Sequence, residues 1–286
     1  MDMTLIKRLR AETGLSIVDI KKTLEKNNGD YDQTLKDLNA LVKPQSSDQR
    51  VASKGAVLVK ISHDQAIILE ITAETDFASK NSHFLGLFED VFELLLKSDI
   101  DTIESLEKAS IDDITLSEHV KMVATKVSEN ISIRRFDRIQ KNKAHVFGAY
   151  QHHDLKSACL VVLNQGNETF AKMIAMQAVA MDAQMIDQNN LDQQSIDKIK
   201  KDYESHPDGF TDFKDYLNSK SLLDQPYIHD QSQTVRAHLK QHQSTITHLI
   251  RYQLGEGIKD KLMCKLDLSQ PTKISVTPIL GHQKKT

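Results

Sequence analysis

The sequence has too few cysteines for a disulfide scaffold or a cysteine-based zinc site. Cys159 and Cys264 are the only two among 286 residues. There is no run of about 18 consecutive apolar residues, so no membrane-spanning helix is expected. The N-terminal stretch mixes charges with apolar positions and lacks the apolar core of a secretory signal. These absences predict a cytoplasmic protein with no membrane contact.

The chain also lacks the basic excess of a general nucleic-acid-binding protein. It has 37 lysines and arginines against 40 aspartates and glutamates, a formal net charge of −3. Proteins that neutralise phosphates carry clustered positive charge. Hydrophobic residues make up 39% of the chain, which is enough to bury a core. We therefore expect a folded protein that makes no direct contact with nucleic acid.

The motifs of several enzyme classes are missing as well. There is no G-x-x-x-x-G-K-[ST] phosphate loop, no G-x-S-x-G elbow and no H-E-x-x-H zinc motif. The G-E-G at residues 255–257 is typical of a turn. Cys159 lies in an apolar run, which favours a small buried side chain, and the histidines, including His152 and His153, are interpreted as surface or strand-edge residues. The sequence thus predicts no enzyme, no cofactor and no metal.

Residues 1–42 carry the periodicity of three short helices. Ser16 and Asp19 form a capping pattern at the start of the second helix, and the turn at residues 28–29 precedes the third. About forty residues are near the lower size limit for independent stability, so we expect a docking module. Residues 43–54, which show no periodicity at their start, are predicted to be a linker.

From residue 55 onward, alternating strands and amphipathic helices follow one another in an order that occurs twice. Residues 55–140 and 141–260 each predict strand, strand, helix, insertion, helix and strand. In the first of these, the alternation at Val57, Val59, Ile67 and Leu69 predicts a β-hairpin, and a helical period begins at Phe84. The second insertion, at about 189–221, contains two short amphipathic pieces, which indicates a helical hairpin. The fold class is therefore α+β: a three-helix module, then two related subdomains with antiparallel strands. Residues 261–286 are predicted to be a C-terminal extension.

One aromatic residue lies outside every apolar pattern. Phe77 falls in the polar stretch 72–81, between the first strand pair and the following helix. It either folds back onto that helix as a staple, or protrudes beside the Asp76 carboxylate as an apolar wedge aimed at another protein. The residues alone favour neither alternative.

Several ordered motifs resemble those of the bacterial elongation factor Ts family. Residues 75–81, TDFASKN, resemble the family's TDFVAKN, and residues 129–135, ENISIRR, are similar to its ENINIRR. Single motifs of this length are weak, but together they occur in one register along most of the chain. The other matches are at residues 13–24, 28–30, 150–152, 223–228 and 255–258.

A few positions depart from the family pattern. Ile17 and Val18 replace a pair of methionines, which is a tolerable apolar exchange. Ser128 stands where a glycine is common, and His153 replaces the glycine that usually follows the histidine at 152. The last two changes leave the contacts of their segments open.

The resemblance implies a ubiquitin-associated-like N-terminal module and a function in translation elongation. That function is to bind elongation factor Tu, in its GDP-bound and nucleotide-free states, and to promote guanine-nucleotide exchange by disturbing the Mg²⁺ and phosphate site. The residues that the resemblance assigns to partner binding are Asp76, Phe77, Thr75, Ala78, Ile17, Val18, Lys21 and His152.

Two alternatives stay open at this point. The first is a scaffold that binds elongation factor Tu but has lost exchange activity. The second is a small α+β hydrolase or transferase that uses His152, His153 and the neighbouring Asp154.

Overall fold

The computed structural model describes residues 3–13, 15–41, 52–142, 144–205 and 209–258. Most of the predicted linker and all of the predicted C-terminal extension lie outside these residues. The described chain forms two compact units. Unit 1 holds the residues up to 140 together with 151–158 and 252–255, and unit 2 holds the others. The subdomain boundaries proposed from the sequence stay a prediction.

Three helices form the N-terminal module: α1 (Met3–Thr13), α2 (Ile17–Lys26) and α3 (Tyr31–Leu41). Ser16 caps α2, because its hydroxyl accepts a hydrogen bond from the Asp19 amide at 3.2 Å, as predicted. Apolar side chains of all three helices share one small core and give the module the character of a ubiquitin-associated-like bundle. They are Ile6, Leu9, Ile20, Leu24 and Leu38.

The rest of unit 1 is built around a short antiparallel sheet. In chain order its elements are β1 (Lys54–Ile61), β2 (Gln65–Ala73), a 3₁₀ turn (Ala78–Lys80), α4 (Ser82–Leu96), α5 (Ile103–Lys108), β3 (Ser110–Ile111), β4 (Ile114–Thr115), α6 (Leu116–Val127) and β5 (Ser132–Gln140).

The hydrophobic pattern explains how α4 packs in this unit. Strands β1 and β2 form the predicted hairpin, and β5 pairs with the other edge of β2. Alternate residues of the fully buried β2 lie in one cluster with the aromatic stripe of α4. This packing fixes where α4 begins and therefore where the loop between β2 and α4 lies. The cluster includes Ile67, Leu69, Ile71, Phe84, Phe88, Val91, Phe92 and Leu95.

Helix α6 ends at a residue in the left-handed conformation. Ser128 has φ 62°, a region that costs a side chain with a Cβ atom about 1–2 kcal/mol. Glycine adopts it without that strain, which gives a physical reason for the glycine common in the family.

Ser128→Gly is therefore expected to raise the free energy of unfolding by about 1 kcal/mol, measured by chemical denaturation. The matched control is the same substitution at Ser117, in the first turn of the same helix, where glycine should instead destabilise by up to about 0.5 kcal/mol. Equal destabilisation by both variants would contradict this account of Ser128.

The second half of the chain, most of which belongs to unit 2, repeats the arrangement of strands. Its elements are β6 (Val146–Gln151), β7 (Ser157–Leu163), α7 (Glu168–Ala180), a 3₁₀ turn (Gln188–Asn190), α8 (Gln193–Ser205), α9 (Phe213–Lys220), β8 (Pro226–Tyr227), β9 (Asp230–Thr234), α10 (Val235–Gln241) and β10 (Ile246–Gln253). The central strand, β7, is flanked by β6 and β10, just as β2 is flanked by β1 and β5. The second strand of each half is thus the middle of its sheet, as expected for two related subdomains.

The predicted helical insertion is formed by α8 and α9. Tyr203 of α8 packs its ring against Phe213 and Tyr216 of α9, with centroids 5.8 Å and 5.4 Å away. The Tyr216 hydroxyl donates a hydrogen bond to the Asp202 carboxylate. Among the described helices, none is long and apolar enough to span a membrane.

Candidate partner-binding surface

The loop that joins β2 to α4, residues 74–81, carries a large exposed aromatic side chain and is called the Phe77 loop below. Phe77 is 80% exposed. The staple alternative is therefore wrong, because the ring does not pack on α4, whose buried stripe begins at Phe84. A ring held in water leaves apolar area available for contact with another molecule.

The start of the Phe77 loop is fixed by the residues that follow α6. Glu129 accepts a hydrogen bond from the Thr75 amide at 2.9 Å and another from the Thr75 hydroxyl. The Asn130 side-chain amide donates to Glu74. The motifs at 75–81 and 129–135 are thus neighbours in space, and hydrogen bonds to Glu129 and Asn130 hold the start of the Phe77 loop.

The end of the loop is fixed as well. Ala78 is 2% exposed and lies in the hydrophobic core of unit 1. The Ser79 hydroxyl donates to the Asp76 carbonyl at 2.8 Å, and the Asn81 side chain caps α4. Phe77 therefore projects from a short segment that is anchored on both sides.

A second turn lies beside this loop. Residues 152–156, which join β6 to β7, are called the His152 turn. The Nδ1 atom of His152 is 2.8 Å from Oδ1 of Asp154, which also accepts a hydrogen bond from the Lys156 amide at 2.9 Å. Burial raises the pKa of Asp154, but the hydrogen bonds from the His152 ring and the Lys156 amide outweigh this, so its pKa lies below the usual value.

An ion pair connects the two segments. Lys156 Nζ is 3.2 Å from Oδ1 of Asp76, with both side chains about half exposed. The Val57 amide donates to the Leu155 carbonyl at 2.8 Å and fixes the turn against β1. The structure thus brings Asp76, Phe77 and His152 to one surface of unit 1.

The substitution of histidine for glycine at 153 causes no backbone conflict. Within the His152 turn the left-handed residue is Leu155, with φ 61°, and not His153. A residue with a side chain is therefore compatible with the backbone at 153.

The remaining predicted residues lie on the N-terminal module and not on either of these two segments. Val18 is 73% exposed, and Ile17 and Lys21 are exposed beside it on α2. The opposite face of α2 buries Ile20 and Leu24 in the module core. The outward face of α2 is therefore a separate apolar and basic surface.

A buried carboxylate that was not predicted from the sequence connects the motifs at residues 129–135 and 255–258. Glu70, in the middle of β2, has no exposed surface and accepts hydrogen bonds from Arg134 Nη1 at 2.6 Å and Arg135 Nε at 2.5 Å. It also accepts one from the Gly255 amide at 2.8 Å. The one acidic residue within the apolar run of β2 was the signal that could have revealed this Glu70 cluster.

The conformation of Gly255 explains the G-E-G at residues 255–257. Its φ is +73°, and an added Cβ atom would lie 2.7 Å from the Ser53 carbonyl oxygen. The turn predicted for this segment is confirmed, and its backbone requires a glycine at 255.

The structure confirms the interpretation of Cys159 as a small buried side chain. Cys159 is fully buried, and burial raises the pKa of its thiol, so it is not a reactive nucleophile. Among the described residues, no cluster of three or more histidine, cysteine or acidic side chains could hold a metal ion. His238 is half-buried, and its ring is stacked 4.0 Å from that of Tyr227.

Comparison with known proteins decides the family. The model of the family described as Elongation factor TS matches residues 74–256, more than half of the chain. The chain belongs to the elongation factor Ts family. The elongation factor Ts of Mycoplasmopsis pulmonis (strain UAB CTIP) is 31% identical over 274 residues, which cover 90% of this chain and 92% of that protein.

Other members of the elongation factor Ts family match over a similar length. Those of Acholeplasma laidlawii (strain PG-8A) and Oenococcus oeni (strain ATCC BAA-331 / PSU-1) are 30% and 28% identical. The alignments cover 90% and 89% of this chain and 94% and 92% of those proteins. Family membership makes the chain a translation elongation factor, with a role in protein biosynthesis.

Proposed function

We propose that this protein is a guanine-nucleotide exchange factor that binds elongation factor Tu in its GDP-bound and nucleotide-free states and promotes GDP release. The observation that carries the proposal is the 80% exposure of Phe77 on a loop anchored at both ends. Membership of the elongation factor Ts family supports the same role.

The chemistry of nucleotide binding explains how a wedge can release GDP. A GTPase holds its nucleotide through a phosphate-binding loop and a Mg²⁺ ion. Mg²⁺ requires near-ideal octahedral geometry at about 2.0–2.1 Å, so a small displacement of its supports weakens nucleotide binding. Phe77 would insert between helices of the partner, since an aromatic ring supplies apolar area at little cost in rotamer entropy. Asp76 would hydrogen-bond to groups near the nucleotide site, and His152 would contact a second region.

Exchange requires a difference in affinity and no chemical step. The factor must bind nucleotide-free elongation factor Tu more tightly than the GDP-bound form, because equal affinities would shift nothing. By linkage, a newly bound nucleotide weakens the complex by the same factor and releases the exchange factor. No covalent bond is made or broken in this role, which needs no cofactor, catalytic residue, nucleic-acid contact or membrane, and belongs to the cytoplasm.

Two of the assigned residues, Thr75 and Ala78, would fix the conformation of the Phe77 loop. The Thr75 hydroxyl is engaged by Glu129, and the Ala78 side chain is buried. Both would support the position of Phe77 from within unit 1. Their own contact with the partner stays a prediction.

The outward face of α2, with Ile17, Val18 and Lys21, would dock on the nucleotide-binding domain of the partner. Val18→Asp is expected to raise the Kd for elongation factor Tu about tenfold, since it brings a charge into an apolar contact. The melting temperature should not change, because Val18 is 73% exposed. Titration calorimetry measures the affinity, and Lys36→Asp, at an exposed position of α3, is the control. Unchanged binding by Val18→Asp would exclude this face as a docking surface.

The direct test is release of fluorescently labelled GDP from elongation factor Tu of the same organism, with and without the protein. We expect release to accelerate with the concentration of the protein and to saturate. Binding without acceleration would favour the scaffold that has lost exchange activity. Absence of both binding and acceleration would contradict the proposal.

A further inference from the structure

We propose that Lys156 is a positioning residue that fixes Asp76 and so holds the Phe77 loop and the His152 turn in one arrangement for binding. This inference rests on the proposed exchange function. It concerns a residue outside the partner-binding set that the sequence predicts.

The backbone of Lys156 is fixed on both sides. Its amide donates to Asp154 Oδ1 at 2.9 Å, and its carbonyl accepts a hydrogen bond from the Leu254 amide at 2.7 Å. Leu254 is in turn followed directly by Gly255, whose amide is bound by the buried Glu70. The base of the lysine side chain is therefore tied to the interior of unit 1.

The ammonium group reaches from this fixed base to the Phe77 loop. Its Nζ atom lies 3.2 Å from Oδ1 of Asp76, the residue directly before Phe77. Lys156 thus contacts Asp76 through its ammonium group and Asp154 through its backbone amide, and His152 Nδ1 lies 2.8 Å from Asp154. The lowered pKa of Asp154 keeps its carboxylate ionised at neutral pH.

The exposure of the pair argues for positioning and against a role in stability. Lys156 and Asp76 side chains are 45% and 53% exposed, and such surface pairs contribute little to folding because water and salt screen them. The pair does restrict the rotamers of the residue next to Phe77. A loop that is ordered before binding loses less conformational entropy in the complex, which strengthens binding.

The experiment compares three lysine variants of the full chain. Lys156→Met removes the charge and keeps the length of the side chain, Lys156→Arg keeps the charge, and Lys97→Met removes a control lysine. Lys97 pairs with Glu93 at 3.0 Å and is 75% exposed. It follows the last residue of α4, roughly 22 Å from the Phe77 loop by the rise of a 15-residue helix.

We expect Lys156→Met to lower kcat/KM for GDP release about threefold to tenfold. Lys156→Arg and Lys97→Met should keep the wild-type value, and no variant should change the melting temperature. In the free protein, Lys156→Met should also speed hydrogen exchange of the Lys80 and Asn81 amides, which bond within the loop. Unchanged amide exchange would overturn the positioning role.

A double-mutant cycle separates positioning from direct contact. If Lys156 acts through Asp76, then Lys156→Met should cause no further loss in an Asp76→Asn background. Losses that multiply would show that Lys156 contacts the partner by itself, and would overturn the inference. Failure of the wild-type protein to release GDP would instead overturn the exchange function. The wild-type and variant measurements therefore report on the two proposals separately.

Discussion

Phe77→Ala is expected to slow stimulated GDP release by about thirtyfold or more, the effect of losing a central aromatic contact worth 2 kcal/mol or above. The melting temperature should barely change, because a side chain that is 80% exposed leaves no cavity when it is shortened. Release of labelled GDP and thermal unfolding of the same preparation measure the two effects.

Ile61→Ala is the matched control for this substitution. Ile61 is a large apolar side chain at the end of β1 in the same unit, and it is 44% exposed. Its truncation should leave exchange unchanged and cost no more than about 1 kcal/mol of stability, because part of the side chain is buried in a strand. A Phe77 variant with a sharply lowered melting temperature and near-normal exchange per folded molecule would contradict the wedge assignment.

Glu70→Ala is expected to destabilise the protein by about 3–5 kcal/mol, the usual effect of removing one partner from a buried ion pair. The substitution would leave Arg134, Arg135 and the Gly255 amide without their shared acceptor. The free energy of unfolding from denaturant titration measures the loss.

An exposed glutamate of the same unit is the control for Glu70. Glu89 pairs with Lys60 on the surface, and its side chain is 61% exposed. Glu89→Ala should change stability by less than about 0.5 kcal/mol. If Glu70→Ala were as mild as this control, the two arginines would be able to relax into solvent and the Glu70 cluster would not be a structural requirement.

Local patterns in the sequence were sufficient to predict the longer elements. The period of two at Val57, Val59, Ile67 and Leu69 predicted the hairpin, and β1 and β2 confirm it. The helical period from Phe84 onward predicted α4. In both cases the apolar residues repeat often enough for their period to exceed chance.

Sequence periodicity did not predict the short elements. The two-residue strands β3 and β4, the six-residue α5 and the β8–β9 pair were not predicted. A pattern of burial needs several repeats before it exceeds chance. These elements are held by neighbours in the fold rather than by their own periodicity.

The sequence by itself determined the order of the main helices and strands, the repeated arrangement of the two halves and the family motifs. Only the tertiary structure excluded the staple alternative for Phe77, placed Lys156 beside Asp76 and buried Glu70. The physical reason is distance along the chain: Glu70 binds Arg134 and Gly255, which are 64 and 185 residues away. Whether an aromatic ring is exposed or a carboxylate is paired depends on groups that only folding brings together.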